Sequence, residues 1–134
     1  MSDHADAVVR DYYDALRSGE PLSPYFLEDD STVKFGISES LYGFDAVSEA
    51  LREQTATTED WTLESDHLVV TERNGSATFA DEVTMAWTDT ERDDRRRFET
   101  RWSGTLVETA RSETAADTHE WLFATMHVSV AHEL

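Results

Sequence analysis

The chain has 134 residues, with 29 acidic against 11 basic side chains and a formal charge of −18. That length fits one domain, and 39% apolar with 30% charged residues excludes a disordered composition. The charge argues against nucleic acid as a partner, and the absence of cysteine excludes disulfides, thiolate metal sites and a cysteine nucleophile.

Val8, Val9, Tyr12, Tyr13 and Leu16 recur at helical spacing, which predicts an amphipathic first helix with Ser2 or Asp3 as its cap and Gly19 as its stop. Pro21 and Pro24 bracket a turn into Tyr25, Phe26 and Leu27. Alternation of Val33, Phe35 and Ile37 against Thr32, Lys34 and Gly36 predicts a short strand over 31–37. Phe44, Val47, Ala50 and Leu51 give a second helix behind Gly43, with Asp45 at its positive end. From Trp61 on the chain reads as β. Strands are expected over 61–72, 76–88, 98–109 and 120–130. The first pair is joined by an Asn74-Gly75 hairpin turn, since both central positions of such a turn need positive φ. Charged loops over 89–96 and 111–118 connect the rest. No repeat or linker interrupts this order, so residues 1–134 form a single α+β domain, helices on one face of a curved antiparallel sheet.

Both faces of the last strand carry apolar residues. Leu122, Ala124, Met126 and Val128 alternate with Trp121, Phe123, Thr125, His127 and Ser129. Helices cover one face only, so the pattern predicts a homodimer through the other. Lys34 is the one lysine beside ten arginines, and sixteen threonines accompany acids spread from Asp3 to Glu133. This composition reads as adaptation to molar salt, where a Debye length of roughly 3 Å screens self-repulsion. No apolar run approaches the ~20 residues of a membrane span. The first six residues lack the basic and apolar regions of a signal peptide, so a cytoplasmic protein without a membrane partner is expected.

The ordered motifs resemble the SnoaL-like branch of the nuclear-transport-factor-2-like superfamily. They are Val8 to Glu20 in the first helix, Phe26 to Val33 at the entry to the first strand, and Gly36, Glu39, Gly43 and Ala46 before the second helix. Arg101-Trp102-Ser103-Gly104-Thr105 and Trp121 with His127-Val128-Ser129 complete the set. Thr100-Arg101 and the last-strand residues also resemble the association (hub) domain of calcium/calmodulin-dependent kinases. The resemblance implies a cone-shaped, cystatin-like curved sheet with the N-terminal helices on its concave face, an internal pocket and frequent dimers. Such folds serve both enzymes and association modules, so the fold does not settle function.

Six positions besides Tyr12 are weighed as pocket residues or core. Tyr12 matches the helix-one tyrosine of the steroid isomerases, while the position of their carboxylate base falls on Phe35; the bland reading of Tyr12 is a satisfied core aromatic. Asp81 shares the helix-covered face with Val83, Met85 and Trp87. It is a candidate acid or base, or else an ion-pair partner of Arg101 or another strand arginine, or exposed at an edge. Arg101, with Ser103 on its face, is expected to point into the cone towards a carboxylate or an anionic ligand, as the hub resemblance implies. His127 shares a face with Ser129 and reads as a pocket or interface histidine. The arginines at 92 and 95–97 read as a self-paired, solvated loop. No histidine spacing suits a metal, and no cofactor is implied. Two functions follow. One is a small-molecule-binding or association module with a partly apolar pocket and no catalytic set. The alternative is a polyketide-cyclase or isomerase-type enzyme using Tyr12, Asp81 and His127.

Overall fold

A computed structural model describes residues 4–109 and 120–134. Helix α1 (Ala5–Ser18) buries Val8, Val9, Tyr12, Tyr13 and Leu16 along one stripe. Gly19 ends it in the left-handed conformation (φ 69°), and the Glu20 amide returns to the Ala15 carbonyl. At its start His4, not Ser2 or Asp3, holds the cap position; those two lie outside the described residues. A single helical turn (Ser23–Tyr25) leads to strand β1 (Val33–Phe35). An unexpected strand β2 (Ser40–Tyr42) pairs back on β1 before helix α2 (Phe44–Thr57).

Five strands follow: β3 (Thr58–Ser65), β4 (Val69–Arg73), β5 (Ser76–Asp89), β6 (Asp94–Glu108) and β7 (Trp121–Val130). They form an open sheet in the order β2-β1-β7-β6-β5-β3, with β4 beside the first half of β5. Pairing is antiparallel except between β1 and β7, which run parallel. The stretch expected as one strand over 61–72 is therefore two, each paired with a different half of β5. The break lies at Asp66 to Leu68, where the Asp66 amide donates to the Glu82 carbonyl and the His67 amide to the Asp81 carboxylate. The two-residue hairpin at Asn74-Gly75 forms, with Arg73 opposite Ser76, but only Gly75 takes positive φ (79°); Asn74 does not, so the expected turn with both central residues at positive φ is corrected. The loop expected over 111–118 falls outside the described residues.

Two irregularities set which side chains face the helices. In β7, Thr105 pairs with Thr125 but Leu106 pairs with Phe123, so Ala124 is an extra residue. The bulge shifts the phase, and Phe123, Met126 and Val128 all reach the core. Beyond the bulge the outer face of β7 carries Thr125, His127 and Ser129. The doubly apolar pattern of this strand is thus partly one apolar face read across a bulge. In β3 the register shifts between Glu59 and Thr62, and Asp60 takes positive φ (54°). That bulge turns Trp61 onto Trp87, with ring centroids 4.8 Å apart and nearly parallel planes.

Candidate functional site

The helices and the sheet leave between them a cavity of about 550 Å³, within the usual range for a small-molecule site. One wall is aromatic. Trp61 stacks on Trp87, and Trp87 stacks on Phe98 at 5.5 Å. The Trp61 indole N–H donates to the Thr58 hydroxyl at 2.8 Å, which fixes the ring. Trp102 and Tyr12 continue the lining deeper in the fold, where Tyr12 is 1% exposed. Tyr12 also meets Phe26, Phe123 and Trp102 edge-on, so its ring is locked by packing.

The Tyr12 hydroxyl forms no hydrogen bond among the described residues, and it lines the cavity. Burial pushes its pKa well above the usual phenol range, and the negative charge of Glu39 adds to the rise. It is therefore a neutral donor at neutral pH. Opposite charges share the same space. Lys34 is 6% exposed, and its ammonium donates to Glu39 Oε1 at 3.2 Å. Glu53 and Arg96 also line the cavity.

Of the positions singled out in the sequence, Tyr12 and Trp87 line this cavity. Phe35 does not. Strand β1 sets Lys34 opposite Met126 on the inner face and Phe35 opposite His127 on the outer one. Phe35 there packs edge-on against Tyr42 and His127, at 5.9 and 5.7 Å. Asp81 does face the helices and is 5% exposed, but it lies off the cavity. Its carboxylate accepts from the Tyr13 hydroxyl at 3.0 Å, the Ser65 hydroxyl at 2.6 Å and the His67 amide at 3.0 Å. Neither a catalytic nor an ion-paired role is needed to account for it. Burial and this carboxylate together push the Tyr13 pKa far up.

Arg101 is corrected outright. Trp102 lies opposite Asp81 and Arg101 opposite Glu82, so the even-numbered residues of β6 face inward. Arg101 is exposed on the outer face, where water solvates the guanidinium and no buried partner is required. Ser103 and His127 are paired across β6 and β7 on that same outer face, both exposed. The arginines expected in a loop are exposed, but only Arg92 lies in the turn; Arg95, Arg96 and Arg97 belong to strand β6, so the expected loop over 89–96 is shorter. Arg92 pairs with Asp89 at 2.9 Å and Arg96 with Asp94 at 3.4 Å, while Arg95 donates to the Asp60 carbonyl at 2.6 Å. Lys34, Glu39, Trp61 and Phe98 are among the lining residues the sequence reading missed, with Glu53, Arg96 and Trp102. For Lys34 a signal existed, its being the only lysine; for Trp61 the bulge that turns it inward had none.

A family model described as the SnoaL-like domain matches residues 5–133. The chain belongs to the SnoaL-like family. Among solved structures, this SnoaL-like domain is similar to a nuclear-transport-factor-2-like superfamily protein from Salmonella enterica, at 13% identity and TM-score 0.78, covering 95% of this chain and 88% of that one. It is also similar to a ketosteroid isomerase-like protein from Erwinia carotovora atroseptica, at 16% identity and TM-score 0.73, covering 96% and 94%. A third is a Xanthomonas campestris protein named for the calcium/calmodulin-dependent protein kinase II association domain, at 16% identity and TM-score 0.72, covering 96% and 86%. At these identities the likeness establishes the fold. No curated protein matches the sequence. Among the described residues no helix is long and apolar enough to cross a membrane, and no cluster of His, Asp and Glu is placed to hold a metal ion.

Proposed function

We propose that this SnoaL-like domain is a small-molecule-binding module whose cavity takes a planar, largely apolar organic molecule. The observation that carries this reading is the cavity itself: a stacked Trp61–Trp87–Phe98 wall beside the Tyr12 hydroxyl, which opens onto the cavity and has no protein partner among the described residues. A core built only for stability fills such space and satisfies such a group. The test is a titration with prodan, a neutral naphthyl ketone whose emission shifts to the blue in apolar surroundings. One molecule per chain should bind saturably, and Trp87→Ala should weaken binding roughly tenfold, the size of one lost aromatic stacking contact. Titration without saturation, or an affinity that Trp87→Ala leaves unchanged, would remove the reading.

A cyclase or isomerase-type reaction is the second reading, supported by Lys34, Glu39 and Tyr12 sharing one cavity. Their proton-transfer groups suit acid–base work on an enolisable ligand. Asp81 and His127 have no part in it, since neither lines that cavity.

We further propose a homodimer through the outer sheet face. Phe35 and Tyr42 meet there beside His127, and Tyr42 is 68% exposed. The Xanthomonas neighbour, named for an association domain, supports assembly by this fold. Sedimentation equilibrium in molar potassium chloride, where the −18 charge is screened, should give twice the 15.2 kDa chain mass. Tyr42→Lys should then yield the single chain. A wild-type protein that sediments only as the single chain at high concentration counts against the dimer.

A further inference from the structure

The one lysine of the chain is inside the cavity. Every described arginine is exposed, whereas Lys34 is 6% exposed, and buried lysines are rare unless paired. Its ammonium has three protons. Glu39 accepts one, and among the described residues Lys34 makes no other side-chain hydrogen bond. An arginine here would bring a planar fork of five donors, where lysine offers a compact point charge on a flexible stem.

We propose that Lys34 is the polar anchor of this cavity, and that it holds the carbonyl oxygen of a neutral, planar conjugated molecule stacked on the aromatic wall. The inference rests on the ligand-binding reading above and specifies its ligand. Charge selects the neutral class. Lys34 and Arg96 on the lining are balanced by Glu39 and Glu53, so the site carries no net charge for an ionic ligand to neutralise. The −18 field of the whole chain repels an anion, and the buried ammonium opposes a cation. The donors select the oxygen. Tyr12 and Lys34 both have protons to give into the cavity, so the ligand must present an acceptor, and burying one without such donors would cost it its hydrogen bonds to water. Glu39 competes for the ammonium but takes only one of its three protons, which leaves two for a ligand in the cavity. The parallel faces of Trp61 and Trp87 select a flat ring system.

Equilibrium dialysis with two matched probes tests this. 2-Acetylnaphthalene and 2-isopropylnaphthalene share shape and differ in the carbonyl. The wild-type protein should prefer the ketone by about tenfold, the worth of one charge-assisted hydrogen bond. K34M should erase that preference while keeping its affinity for the hydrocarbon, which shows that the cavity is intact. E39Q, which takes the competing charged acceptor from the ammonium, should preserve the preference or enlarge it. Equal binding of the two probes by the wild type, or a preference that survives K34M, overturns the proposal and leaves the ligand-binding reading standing. Should K34M lose the hydrocarbon as well, E39Q decides, and a preference that falls in E39Q overturns it. If the wild type binds neither probe, the ligand-binding reading itself fails.

Discussion

Gly104→Ala should destabilise the domain by about 3 kcal/mol, at the upper end of what an added methyl costs in a packed interior. Gly104 lies in β6 opposite Met126, next to the bulge that sets the phase of β7. A Cβ there would collide with the Thr125 carbonyl and come within 2.9 Å of the Phe79 ring and 3.1 Å of the Met126 Cα. Backbone on one side and a locked core ring on the other leave no flexible chain end to move aside. The melting temperature should drop by roughly 10 °C in a chain of this size. Gly19→Ala is the control. It forces a residue into a left-handed conformation, which Gly104 does not have, but nothing lies within 4 Å of its Cβ position, so it should cost only ~1 kcal/mol. Equal losses for the two variants would mean that strand contact at Gly104 is looser than described.

Asp81→Ala should cost about 3 kcal/mol, through donors rather than volume. The carboxylate gathers the Tyr13 hydroxyl from α1, the Ser65 hydroxyl from the end of β3 and the His67 amide from the break between β3 and β4. Removing it strands those donors in a site that is 5% exposed at Asp81. Asp81→Asn keeps one acceptor oxygen and should lose about half as much. Prodan affinity should be unchanged in the folded fraction of both variants, because Asp81 does not line the cavity. A variant of normal stability that no longer binds the probe would return Asp81 to the site and reverse its assignment as a structural knot.

Asp81 shows what the sequence could and could not convey. Its face was legible, because β5 alternates without interruption from Ala77 through Phe79, Val83 and Met85. Its partners were not, since Tyr13, Ser65 and His67 come from elements whose contacts no local pattern specifies. The first helix and its Gly19 stop were legible for the same reason as β5: a sustained period and a residue suited to positive φ. Phase failed wherever the regular strand is short or interrupted. Strand β1 has three residues, too few to say whether Lys34 or Phe35 faces inward, and the parallel pairing with β7 decided it. In β6 the inward face belongs to Thr100, Trp102, Gly104 and Leu106. Strand position and the hub resemblance together predict an inward Arg101 with a partner, but neither fixes the phase of β6, which its pairing with β5 sets. The bulges at Ala124 and at Asp60 leave no compositional trace, yet the second brings Trp61 to the cavity. The missed site residues are thus largely those whose orientation depends on pairing between distant strands.

The central claim is that the cavity, and no other part of the surface, is the ligand site. A crystal structure of the protein grown with 2-acetylnaphthalene tests it most directly. The account predicts density for the naphthyl ring stacked against Trp61 and Trp87, its oxygen turned towards Lys34 and Tyr12. Full-occupancy ligand elsewhere on the molecule, with the cavity holding only solvent, would contradict it.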